Sequence, residues 1–166
     1  MQIQPAELKQ ILKQKLHEAS RIAIVGIGSE FRGDDAAGAL VAAYLRDWAE
    51  RRDHVKVLSG GSAPENLTGE IKQFRATHLL LIDAADAGAE PGTYHIIEPE
   101  QASGASCSTH RPPLHLFTRY LQDALGCEIV IIGIQPERLD WGSSPSDRVK
   151  ESCERLAQML RDSWGD

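Results

Sequence analysis

Two adjacent acids, Asp34 and Asp35, a third, Asp83, and a loop histidine, His110, are the residues of this chain whose types and spacing could do chemistry together. Asp34 and Asp35 close the glycine-rich stretch Gly26 to Gly38, and Asp83 directly follows the apolar run Leu79-Leu80-Leu81-Ile82. Two carboxylates brought to one place either share a proton, as in an acid-protease dyad, or hold a cation. An added imidazole makes a mixed oxygen and nitrogen set with open positions, which suits a divalent transition metal that must still accept another ligand. A second chemistry is nucleophilic: Cys107 lies three residues before His110, and a thiolate beside an imidazole can attack a carbonyl. That pairing needs a rigid platform, and the Ser-rich loop around Cys107 offers none.

These side chains need elements to position them. Arg21 to Gly26 is almost continuously apolar, as a strand covered on both faces should be, and a helical pattern follows from about Ala36 to Ala49 with Leu40, Val41, Tyr44, Leu45 and Trp48 on one face. The glycine-rich stretch is therefore a strand-to-helix turn. One of the paired acids can serve as N-cap, and the expectation is that Asp34 caps the helix while Asp35 points away. A dinucleotide fingerprint competes for this turn, but Phe31 stands where its third glycine belongs, and two carboxylates would repel a pyrophosphate. The run His78 to Ile82 predicts the most buried strand and places Asp83 at its C-terminal end, the edge where open α/β sheets bind ligands. Asp86 lies further into an Ala-Gly-rich loop and is the weaker candidate.

The remaining segments complete an alternation of strands and helices. An amphipathic helix with Leu8, Ile11, Leu12 and Leu16 precedes the first strand and is expected to pack on the outside. Val55 to Leu58 is a strand, and Pro64-Glu65-Asn66 opens a helix carrying Leu67, Ile71 and Phe74. Between them, the paired glycines Gly60-Gly61 either make the turn or let something approach the backbone. Thr93 to Ile97 is a shorter strand with the character of an edge. His110 sits on the loop before a helix started by Pro112-Pro113, with Leu114, Phe117, Leu121 and Leu125 inward and Gly126 closing it. Glu128 to Ile134 is a β-branched strand, and Ser144-Pro145-Ser146-Asp147 resembles a capping box, with Pro145 at the first helical position, introducing a last helix with Val149, Cys153, Leu156 and Leu160 inward. His17, His54, His78, His95 and His115 have no partner at metal spacing and read as structural or exposed. The pattern predicts one α/β domain over residues 1–166 with residues 1–20 as an N-terminal helical extension. Its architecture is three-layer, a mainly parallel five-stranded sheet with helices on both faces.

Composition narrows the function. The formal net charge of -6 argues against binding nucleic acid or an anionic membrane surface. The chain has no apolar run of membrane-spanning length, and its first 16 residues lack the apolar core of a signal peptide. Three cysteines, Cys107, Cys127 and Cys153, match no zinc spacing and read as reduced thiols of a cytoplasmic protein.

Read together, the stretches Gly33-Asp34-Asp35 with Gly38, Gly60-Gly61-Ser62-Ala63-Pro64-Glu65-Asn66, Ile82-Asp83-Ala84, Thr109-His110 with Pro113-Leu114, and Gly133-Ile134-Gln135-Pro136 are collinear. In them the chain resembles the [NiFe] hydrogenase maturation endopeptidases, peptidase family M52, and most of all the branch serving hydrogenase 3 of formate hydrogenlyase. The resemblance implies an endopeptidase that removes the C-terminal extension of a hydrogenase large-subunit precursor after nickel insertion. It also implies that the partner is that precursor and that nickel is supplied by it. The family's metal-binding residues fall on Asp35, Asp83 and His110, which makes these three the implied catalytic and metal set. The chain departs from the family at Ser29, usually Asn, at Ala36, commonly Gly, and at Ser59, usually acidic. Two other readings stand beside this one: a nickel-responsive module that binds the precursor without cutting it, and another metal-dependent hydrolase on the same scaffold. The sequence leaves the oligomeric state open, a monomer included.

Overall fold

The computed structural model describes residues 2–100 and 114–164. Along the chain, strand β1 (Gln2–Ile3) and helix α1 (Pro5–Lys15) precede β2 (Ile22–Ile27), a 3-10 turn (Gly33–Ala36) and α2 (Ala37–Glu50). There follow β3 (Val55–Gly61), a 3-10 turn (Pro64–Leu67), α3 (Thr68–Phe74), β4 (His78–Ala84) and β5 (Tyr94–Ile97). Helix α4 (Leu114–Leu125), β6 (Glu128–Ile134) and α5 (Asp147–Ser163) complete the order.

One mixed sheet runs in the order β1-β5-β6-β4-β2-β3. The neighbours β6, β4, β2 and β3 are parallel, while β5 pairs antiparallel with β6 and β1 antiparallel with β5. The sheet thus has six strands where the sequence predicts five. The extra one, β1, is two residues long and carries no periodicity that a sequence could show. Because β1 covers it, β5 is the second strand from that margin and not the edge its pattern suggests.

The apolar runs form β2 and β4 because both faces of a parallel sheet are covered, and every residue of these two strands is buried. Alternate side chains feed two cores. Ile22, Ile24, Leu80, Ile82, Val130 and Ile132 pack with α1, α2 and α5 through Leu8, Leu12, Val41, Leu45, Leu156 and Leu160. On the other face Ala23, Val25, Leu79, Leu81 and Ile131 meet Ile71 of α3 and Phe117 and Leu121 of α4. The three layers expected from the pattern are present, and the N-terminal helix α1 buries Leu8 and Leu12 in the first core.

Helix α2 lies in close contact with the sheet at Gly38. A Cβ on Gly38 would overlap the backbone of Ile27 in β2 and the carbonyl of Ile82 in β4, so the first turn of α2 rests directly on the C-terminal ends of these adjacent strands. Only glycine permits that approach. No helix among the described residues is long and apolar enough to cross a membrane.

Candidate active site at the C-terminal edge of the sheet

Leaving β2, the chain turns at Gly28, whose φ of 131° lies where side chains are strained and where a Cβ would overlap the Asp35 carbonyl. The tight turn folds Ser29 back, and its backbone N–H donates to Oδ2 of Asp35 at 2.8 Å. Asp35 is 2% exposed. Three residues later the chain reaches Gly38, against Ile82, and the residue after Ile82 is Asp83. Asp83 is 3% exposed and pairs in register with Gly133 of β6. The contact of α2 with β2 and β4 therefore brings both carboxylates to the same sheet edge, as the sequence predicts. Buried carboxylates are costly unless hydrogen-bonded or engaged with positive charge, and that cost is characteristic of working sites.

Asp34 does something other than cap. It lies inside the 3-10 turn Gly33–Ala36, helix α2 begins after Ala36, and no side chain caps it. The fully buried Asp34 carboxylate instead reaches across more than a hundred residues to the loop before α5. Its Oδ2 accepts the backbone N–H groups of Glu137 at 2.8 Å and Arg138 at 3.1 Å and the Ser146 hydroxyl at 2.8 Å. Its Oδ1 accepts the Ser146 backbone N–H at 2.6 Å. The backbone joins in, Asp34 N–H donating to Arg138 O at 2.8 Å and Gly33 N–H to Ser143 O at 3.0 Å. A residue expected to serve its own helix thus clamps two distant loops together, with four donors meeting one buried carboxylate. The same contacts overturn the capping-box reading of Ser144 to Asp147. Ser146 does precede α5, but its hydroxyl faces Asp34 and makes no cap, and Pro145 lies outside the helix.

The loop after β4 is held by Gln135, a residue of the Gly133-Ile134-Gln135-Pro136 stretch. Buried Gln135, just past β6, accepts the N–H groups of Ala87 at 2.8 Å and Ala89 at 3.2 Å on its Oε1. Its Nε2 donates to Asp86 at 3.1 Å. Asp86 is exposed, and the Gly88 N–H, followed by the Gln135 amide, holds its carboxyl below the usual range. Asp86 is accordingly a turn residue, and the Asp83 edge owes its loop to Gln135. A polar side chain directly after a buried β-branched strand was the available signal.

His110 and Cys107, predicted for the metal set and for the alternative nucleophile, lie outside the described residues. The described cysteines are structural. Burial pushes the Cys127 thiol up, and burial together with the nearby Asp34 charge pushes Cys153 up to about 12. Cys153 donates to the Ala37 carbonyl at 3.4 Å, fastening α5 to the start of α2. A raised pKa keeps both as unreactive thiols at neutral and mildly alkaline pH. In a Cys107→Ser variant, a disulfide reagent at pH 8 is expected to label no thiol in the native protein and two after unfolding. Fast native labelling would contradict the burial of Cys127 and Cys153.

Asp35 and Asp83 are thus buried at the C-terminal ends of the adjacent parallel strands β2 and β4. Comparison with known proteins identifies the chain as a peptidase. A family model described as HycI, hydrogenase maturation protease, matches residues 39–163. The hydrogenase 3 maturation protease of Escherichia coli is 35% identical over 135 residues, covering 81% of this chain and 85% of its own length. A Methanocaldococcus jannaschii protein is 33% identical over 159 residues, covering 92% of this chain and 94% of its own. The crystal structure of a [NiFe] hydrogenase maturation protease HycI from Thermococcus kodakarensis superposes with a TM-score of 0.86 at 35% identity, covering 94% of this chain and 99% of that one. The chain belongs to the hydrogenase maturation protease family, in its HycI branch.

Proposed function

We propose that this peptidase removes the C-terminal extension of a [NiFe] hydrogenase large-subunit precursor, and that it cuts only after nickel has been inserted. The observation that carries this reading is the delivery of two buried carboxylates, Asp35 and Asp83, to one edge by β2 and β4. Nickel is here part of the substrate, held by the precursor's own cysteine thiolates. Asp35, Asp83 and His110 complete its coordination, so a precursor without nickel is not gripped at the edge. Hard carboxylate oxygens and an imidazole suit such a role, because they can add to a partly coordinated transition metal.

Gripping the metal sets the scissile peptide beside the carboxylates. A water oxygen attacks the peptide carbonyl carbon, the C–N bond breaks, and the proton lost by the water passes to the leaving amine. Two routes activate that water: the metal lowers its pKa, or a carboxylate takes its proton. The reading places the enzyme in the cytoplasm, in keeping with the unpaired buried thiols Cys127 and Cys153.

The test is to mix the purified protein with a nickel-loaded precursor and, in parallel, a nickel-free one, and to measure the precursor's intact mass. Loss of one C-terminal peptide only with nickel is the expected result. A stable complex with unchanged mass would replace cleavage by binding alone, and cleavage regardless of nickel would remove the metal check.

A further inference from the structure

We propose that Phe31 and Trp141 form an aromatic shelf that grips an apolar side chain of the polypeptide being processed, next to Asp35. The proposal rests on reading the Asp35 edge as the place of peptide cleavage. Phe31 is 73% exposed and Trp141 74%, the two most exposed large apolar side chains among the described residues. They lie far apart in sequence, but the Gly142 N–H donates to the Phe31 carbonyl at 2.7 Å, which sets the two ring-bearing segments side by side. The bonds from Gly33 to Ser143 and from Asp34 to Arg138 continue that pairing, and the Asp34 carboxylate bolts the second loop from beneath. The rings are therefore displayed on a braced backbone.

Among the described residues neither ring is packed into a core. An exposed aromatic contributes little to folding, whereas the same ring on a rigid support gives much contact area at small entropic cost when a partner covers it. The occupant follows from position. Phe31 N–H donates to the Ser29 hydroxyl at 3.3 Å, and Ser29 N–H donates to Asp35 at 2.8 Å, so the shelf and the carboxylate share one short hydrogen-bonded turn. A polypeptide presented to Asp35 passes this turn, whereas a second copy of this chain seated there would shut the carboxylate off. The charges beside the rings, Glu30 and Arg32 on one loop and Glu137, Arg138 and Asp140 on the other, mix in sign. They select neither an acidic nor a basic segment, which leaves apolar contact as the recognition.

The experiment uses a nickel-loaded hydrogenase large-subunit precursor with wild type, Phe31→Ala, Trp141→Ala, the double variant and Trp141→Phe. Each alanine is expected to raise KM about tenfold, with the loss in KM and not in kcat, since a covered ring of this size is worth roughly that factor. Trp141→Phe is expected to restore most of the affinity, and thermal melts are expected to superpose because the rings are exposed. Unchanged KM in the double variant, with wild type cutting normally, overturns the shelf and leaves the cleavage reading intact. Tryptophan emission read as wild type minus Trp141→Phe separates the opposite case. A saturable blue shift without cleavage supports the shelf and overturns the cleavage reading. No shift on saturating precursor overturns the shelf.

Discussion

Asp35→Asn is expected to abolish precursor processing while the fold survives. The substitution keeps the shape of the side chain, and its amide oxygen can still accept the Ser29 N–H that now binds Oδ2. What it removes is a negative charge and a proton acceptor at the edge. On the proposed reading, in which that carboxylate ligates the substrate's nickel or takes a proton from water, the rate is expected to fall by about a hundredfold or more. Intact-mass kinetics on a nickel-loaded precursor measure this, with a thermal melt confirming that the variant is folded. Cleavage at the wild-type rate by a folded Asp35→Asn protein would sink the assignment of Asp35.

The second large effect concerns its neighbour and has a different readout. Asp34→Ala strips the acceptor from the backbone N–H groups of Glu137, Arg138 and Ser146 and from the Ser146 hydroxyl, all around a fully buried point. Breaking a buried charged network of this kind costs about 3–5 kcal/mol, which for a chain of this size is on the order of a 10 °C fall in Tm. Asp34→Asn is also expected to destabilise. Its amide oxygen can serve the three donors now on Oδ2, but its NH2 then faces the Ser146 N–H, a donor against a donor. Urea titration or calorimetry tests both variants. An Asp34→Ala protein that melts within about 2 °C of wild type would show that the clamp is not needed for stability.

Two adjacent aspartates therefore have opposite assignments, one proposed for the reaction and one holding loops, and the sequence could separate them only in part. Asp35 and Asp83 were legible as candidates because the one follows β2 and the other is the penultimate residue of β4, strands buried on both faces that announce themselves as apolar runs. The C-terminal end of a parallel strand is then a known place, even before its neighbours are known. Asp34 was misread because capping is a local expectation drawn from the next few residues, whereas its four donors lie more than a hundred positions away. Gln135 was visible as part of a motif, but its grip on Ala87 and Ala89 depends on β6 lying beside β4.

By itself the sequence determined the alternation of strands and helices, the three layers and the placement of Asp35 and Asp83 at the C-terminal ends of apolar strands, because burial on both faces and helical periodicity are written locally. It also carried the family, because the collinear motifs span most of the chain. Only the tertiary structure decided that β1 closes the margin of the sheet over β5, that Asp34 bolts the loop before α5, and that the backbones of Phe31 and Gly142 are hydrogen-bonded. The physical reason is common to the three. Each depends on hydrogen bonds between segments distant in sequence, and such bonds exist only once the packed sheet has brought those segments within about 3 Å of one another.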